Sequence, residues 1–139
     1  KANITICGSA DPLGAAADCD GTWNQGFIVF VDTNGDLLRN GVDETVLRAN
    51  GPIDSELNLA VANDATYFSY GPSGLGRGNV NGNIAVSQII ICDDRGVAET
   101  TKDSSASRLF VATPLGRATI VRDYATVDAA LTAMGKSCP

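Results

Sequence analysis

The chain has 139 residues, which suits one compact domain over 1–139 and leaves little room for a second; 44% hydrophobic against 19% charged residues supports a sizeable core and excludes disorder. A net charge of −6 argues against the basic face that nucleic acid or an anionic membrane needs. Histidine is absent, which removes the commonest general base, the usual zinc ligand and any serine–histidine or cysteine–histidine pair.

In chain order, Ile4 to Cys7 is a short alternating segment, and residues 8–22 are small, polar and turn-rich, forming a loop. Trp23 leads into Phe27-Ile28-Val29-Phe30-Val31, an apolar run that reads as a buried strand. Asn34-Gly35 is a tight-turn signal, and Val46-Leu47-Arg48 returns as a strand ended by Asn50-Gly51-Pro52. Residues 57–61 and 66–70 alternate. The glycine-rich stretch from Gly71 to Gly82 reads as a mobile loop. Ile84 to Cys92 is the most apolar strand. A polar segment, 99–107, separates it from strands over 108–113 and 117–121, joined by the turn Pro114-Leu115-Gly116. Near the C-terminus Thr126 caps a helix, Val127, Ala130, Leu131 and Met134 fall at helical spacing, and Gly135 supplies the stop. The expected fold is therefore mainly β, with seven or eight antiparallel strands and one short C-terminal helix.

The four cysteines, Cys7, Cys19, Cys92 and Cys138, contain no C-x-x-C spacing, so a zinc ribbon and a thioredoxin-type motif are not indicated. An even count in a small, glycine-rich chain points to two disulfides in an oxidising compartment. Sequence alone permits three pairings. The favoured one joins Cys7 to Cys19 as a local loop and Cys92 to Cys138 as a staple for the C-terminus.

Asp32, Asn34, Asp36 and Asp43 place oxygen ligands at calcium-like spacing. An EF-hand loop has glycine at its sixth position; here that position is Leu37, and the flanks are strands. The preferred reading is a hairpin turn with solvated acidic side chains, so neither metal nor cofactor is expected. Asp93-Asp94 beside Arg95 is read as a turn with a local ion pair, because neighbours along a strand point to opposite faces. The stretch 71–82 lacks both the P-loop and the dinucleotide-binding pattern, and no catalytic constellation is found. Positive charge gathers only at Arg117 and Arg122, with Arg108 on the preceding strand. These can touch phosphate, but pairing with the chain's many carboxylates is preferred.

Taken together, Ile4-Thr-Ile-Cys7, Gly21-Thr-Trp23-Asn-Gln-Gly26-Phe-Ile-Val-Phe-Val-Asp32-Thr-Asn-Gly35-Asp, Val46-Leu47-Arg48, Ile91-Cys92-Asp-Asp-Arg95-Gly96, Gly116-Arg117 and the penultimate Cys138 resemble the FimT/FimU minor pilins, the GspH-type pseudopilin family. The similarity spans nearly the whole chain. Its most specific parts are the tryptophan-to-aspartate segment and Cys-Asp-Asp-Arg-Gly.

The resemblance implies a β-rich pilin head behind an N-terminal hydrophobic helix that a prepilin peptidase processes and that packs in the fibre core. The abrupt opening at Lys1 on a strand agrees with such a helix lying upstream. The same resemblance supports the Cys92–Cys138 pairing. It further implies a non-enzymatic subunit, in the periplasm and inner membrane before assembly and then in an extracellular pilus. Its expected partners are other minor pilins and the major pilin. Two roles compete within the family: priming assembly from a tip complex, with twitching motility and adhesion downstream, and DNA capture through a Gly-Arg-x-Arg motif. Here Gly116 and Arg117 match, but Thr119 stands where the second arginine would be, and each missing cation weakens phosphate binding. The expectation is a FimU-like priming subunit; DNA binding through Arg117 and Arg122 and a type II secretion pseudopilin are the alternatives. Loops 8–22 and 71–82 are the expected interfaces.

Overall fold

A computed structural model describes residues 2–138, the Val42 side chain apart. In chain order its strands are β1 (Asn3–Gly8), β2 (Phe27–Asp32), β3 (Val46–Asn50), β4 (Asn58–Val61), β5 (Tyr67–Tyr70), β6 (Gln88–Cys92), β7 (Glu99–Thr101), β8 (Ser104–Ala112) and β9 (Ala118–Asp123), followed by helix α1 (Tyr124–Met134). The protein is mainly β, all its strand pairs are antiparallel, and its one α-helix is C-terminal. The chain divides into two compact units: Lys1–Ile53 with Ala65–Ala85 and Pro114–Gly116, and Asp54–Asp64 with Val86–Thr113 and Arg117–Pro139.

The first unit holds a four-stranded sheet in the order β3-β2-β1-β5. Strict alternation along β2 turns Ile28, Phe30 and Asp32 inward. The register places Cys7 opposite Ile28, and Thr5 opposite both Phe30 and Ser69, so these side chains share one buried face. Fully burying Ile28 and Phe30 contributes about 1.5–3 kcal/mol each. The loop after β1 closes on the sheet through the Cys7–Cys19 disulfide.

Two features of this unit differ from the sequence reading. Asn34-Gly35 does not make a two-residue hairpin, because the connection from β2 to β3 runs over 33–45. The Asp32 carboxylate draws in the Gly35 and Leu37 amides, which coils the chain into a compact loop before it can return. The stretch 71–82 is also tied down, not free. The Arg77 amide donates to the Ser69 carbonyl, and its guanidinium reaches Ser69 Oγ, Asp32 and the Gly35 carbonyl. Tyr67 Oη accepts from the Val80 amide and lies 3.0 Å from the Gly78 and Asn83 carbonyls.

The second unit holds a five-stranded sheet, in which β4, β6, β8 and β7 follow one another and β9 pairs with β8. Helix α1 packs on one face, where Ala60, Ile90, Leu109 and Val127 form the core and Val111, Val121, Ala130, Leu131 and Met134 border it. The Cys92–Cys138 disulfide ties the segment after the helix to β6. Strand β6 is shorter than the apolar run suggests, starting at Gln88; Ile84 and Ala85 belong to the first unit, where the Ala85 amide donates to Asn79 Oδ1. The polar run 99–107 is not a plain connection. It contains β7 and opens β8, because Ser105 and Ser107 fill buried positions by donating their hydroxyls to the Val97 and Gly96 carbonyls. The helix cap is Asp123, not Thr126: its carboxylate accepts from both the amide and the hydroxyl of Thr126. Gly135 closes the helix in the left-handed conformation, φ 63°.

Candidate functional site

The acidic loop after β2 is organised around two buried carboxylates, and both are occupied by the protein itself. Asp32 accepts from Thr5 Oγ1, from the Gly35 and Leu37 amides, and from Arg77. Glu44 is 1% exposed and accepts from the amide and hydroxyl of Thr33 and from the Asn40 amide, each within 2.9 Å. Burial works to raise the Glu44 carboxyl, but the hydrogen bonds from Asn40 and Thr33 outweigh it and hold the group below its ordinary value. Asp36 is likewise held low: partial desolvation opposes, while the Leu38 amide and the Asn40 and Asn34 side chains prevail. Asp43 is exposed. Of the four residues at calcium-like spacing, Asn34 and Asp36 hydrogen-bond to each other, Asp32 is buried under internal donors and Asp43 is exposed. Among the described residues no group of three or more His, Cys, Asp or Glu is arranged to hold a metal ion. The spacing of Asp32 to Asp43-Glu44 draws attention to these oxygens, but the burial of Asp32 and Glu44 is revealed only by the fold.

The remaining candidates separate in the same way. Asp93 pairs with Arg95 at 2.6 Å, and that guanidinium, with the Arg95 amide, holds the Asp93 carboxyl low. Arg117, just before β9, and Arg122, within it, are both exposed. Arg108 spends Nη1 on the carbonyls of Ser105 and Ser107. Alternation sets Arg108 and Arg122 on the same face as Phe110 and Ile120, while Arg117 precedes β9. The two disulfides are Cys7–Cys19 and Cys92–Cys138, with no free cysteine among the described residues.

What the second unit offers instead is an apolar surface. The residues that alternate with the helix-facing core line the other face of its sheet. The register runs Val61 to Ile89 to Phe110 to Ile120 in one row, and Leu59 to Ile91 to Arg108 in the next. Ile91 is 40% and Ile120 65% exposed, and Leu57, just before β4, is 38% exposed. A soluble surface seldom gathers so many aliphatic side chains without a partner. The signal was present in the sequence, since Ile89-Ile90-Ile91 and Leu109-Phe110-Val111 are apolar at successive positions. A strand that faces water on one side alternates; one that is apolar on both sides is built to be covered on both.

Among the described residues, no helix is long and apolar enough to cross a membrane. No curated protein and no solved structure matches the chain. The family model described as type II transport protein GspH matches residues 1–116. That match takes in eight residues of every ten, including both faces of β4, β6 and β8. The family's pseudopilins are structural proteins of envelope-associated fibres, which agrees with a site made of apolar surface. The chain belongs to the GspH family of minor pseudopilins and pilins.

Proposed function

We propose that this chain is the head of a type IV pilus minor pilin, acting in the tip complex that primes fibre assembly. In this reading the apolar face of the second sheet seats the hydrophobic helix that precedes the head in this family. The observation that carries it is the apolar row Val61, Ile89, Phe110 and Ile120 on that face, with Leu59 and Ile91 beside it and Ile91 and Ile120 still open. An apolar helix laid across it covers the rows on one side as α1 covers Ala60, Ile90 and Leu109 on the other. The helix also supplies the hold on the inner membrane before assembly and the packing in the fibre core afterwards. Its partners are then the other minor pilins and the major pilin, and its work is assembly, with twitching and adhesion as consequences.

The description of the matching family favours a second reading, a minor pseudopilin of a type II secretion system. DNA capture has less support, given a net charge of −6 and Thr119 in place of the second arginine of the Gly-Arg-x-Arg motif. Surface pili and exported proteins counted on cells lacking the gene separate the two assembly readings. Loss of pili with normal export, reversed by the full-length gene, supports the pilus role. Loss of export with normal pili moves the chain to the secretion system.

A further inference from the structure

A second surface lies in the first unit, at the free edge of its sheet. Strand β3 ends the order β3-β2-β1-β5, and among the described residues nothing pairs with its outer edge. Beside it runs a groove of about 480 Å³, walled by Pro12, Leu13 and Ala15 of the disulfide loop, by Val46 and Ala49 of β3, and by Arg39. Leu13 lines the groove at 72% exposure, and Leu47 of β3 is 57% exposed.

Arg39 gives this groove a fixed charge. Its guanidinium is pinned by three carbonyl oxygens, Nε to Glu44 and Nη1 to Ala15 and Ala17. Carbonyls orient a guanidinium without neutralising it. Among the described residues no carboxylate forms an ion pair with it. The two acids closest in the hydrogen-bond network are committed elsewhere: Glu44 to Thr33 and Asn40, and Asp18 to the amides of Cys19 and Arg39. In a chain of net charge −6, a guanidinium with no carboxylate in ion-pair contact beside an open strand edge can take a partner's anion.

Unpaired strand amides and carbonyls, an apolar trough and a fixed cation match the three parts of an extended peptide: its backbone, an apolar side chain and a carboxylate. A second copy of β3 fits poorly. Arg48 is exposed on the same strand, so a paired copy sets like charges together.

We infer that the β3 edge and its groove accept an extended, acidic strand from a partner protein, which joins the sheet by main-chain pairing and sets its carboxylate on Arg39. This contact is separate from the apolar face of the second sheet, and its test stands apart from the fibre counts.

The test is a nuclear magnetic resonance titration of the ¹⁵N-labelled 139-residue chain. The probes are the peptide acetyl-Thr-Val-Asp-Val-Thr-amide and the same peptide with asparagine in place of its aspartate. The largest shifts are expected at the amides of Leu47 to Asn50 and at Arg39 Nε–H. The aspartate peptide should bind about three- to ten-fold more tightly, and 1 M salt should erase most of that difference. Because the comparison changes only the peptide, a misfolded variant cannot confuse it. Shifts absent at millimolar peptide, centred outside β3 and the groove, or equal for both peptides would overturn the inference.

Discussion

Asp32 shows how a side chain that looks like a ligand becomes a structural centre. It is fully buried on the sheet face and joins β1, the loop after β2 and the stretch 71–82 through Thr5, Gly35, Leu37 and Arg77. Replacing it with alanine strands several donors at once and is expected to cost about 2–4 kcal/mol in urea unfolding, whereas Asp43→Ala should stay within about 0.5 kcal/mol. Glu44 carries a pH signature. Its folded value lies below its unfolded one, so the folded state holds the proton less tightly. Its contribution is complete above the unfolded value and is lost as pH falls through the folded one. Asp36, Asp93 and Asp123 shift in the same direction. The urea midpoint should therefore be flat above about pH 5 and fall below about pH 4, and Glu44→Gln should flatten that fall. Gly21 makes a different point at the same scale. A Cβ there would stand 2.3 Å from the Ala10 amide nitrogen, backbone against backbone. Gly21→Ala is expected to cost about 1–3 kcal/mol, measured in the same way.

At the level of elements, the two disulfides differ in reach. Cys92–Cys138 closes 46 residues and Cys7–Cys19 closes 12. On chain-entropy grounds, replacing the first pair by serine should cost about 4 kcal/mol and the second about 3 kcal/mol. A larger loss from the short loop would contradict that ordering. Helix α1 is held at its start by one carboxylate, so Asp123→Ala should lower the urea midpoint. Much of this level was legible in the sequence. The apolar run 27–31, the alternation at 57–61 and the helical spacing from Val127 to Met134 each report a local periodicity. What failed to show was decided by contacts distant in sequence. Ser105 and Ser107 enter a strand because the Val97 and Gly96 carbonyls accept their hydroxyls, and Arg77 closes a glycine-rich run by reaching Asp32. Asp123 outcompeted Thr126 as the cap because Thr126 lies three residues inside, where its amide needs the acceptor.

For the whole molecule, the candidate site was harder to read than the fold. The sequence drew attention to charges: the acids at 32–43, Asp93-Asp94 and the arginines at 108, 117 and 122. Folding buries Asp32 under internal hydrogen bonds, pairs Asp93 with Arg95 and leaves Arg117 and Arg122 exposed. The apolar face of the second sheet drew none, although successive isoleucines at 89–91 recorded it, because an aliphatic run reads as core until the fold shows one of its faces open. Strand pairing sets Ile89 beside Phe110 and Phe110 beside Ile120, and Ile120 is left 65% exposed. Such a surface agrees with membership of the GspH family of minor pseudopilins and pilins.

The most direct measurement counts surface fibres on cells lacking the gene and carrying the full-length chain, either unaltered or as Ile120→Glu. At so exposed a position the substitution should change the stability of the isolated head by no more than about 0.5 kcal/mol. The account predicts that the unaltered chain restores fibres and that the charged variant, folded but unable to seat an apolar helix, does not. Normal fibres and normal export without the gene, or full restoration by the charged variant, would contradict it.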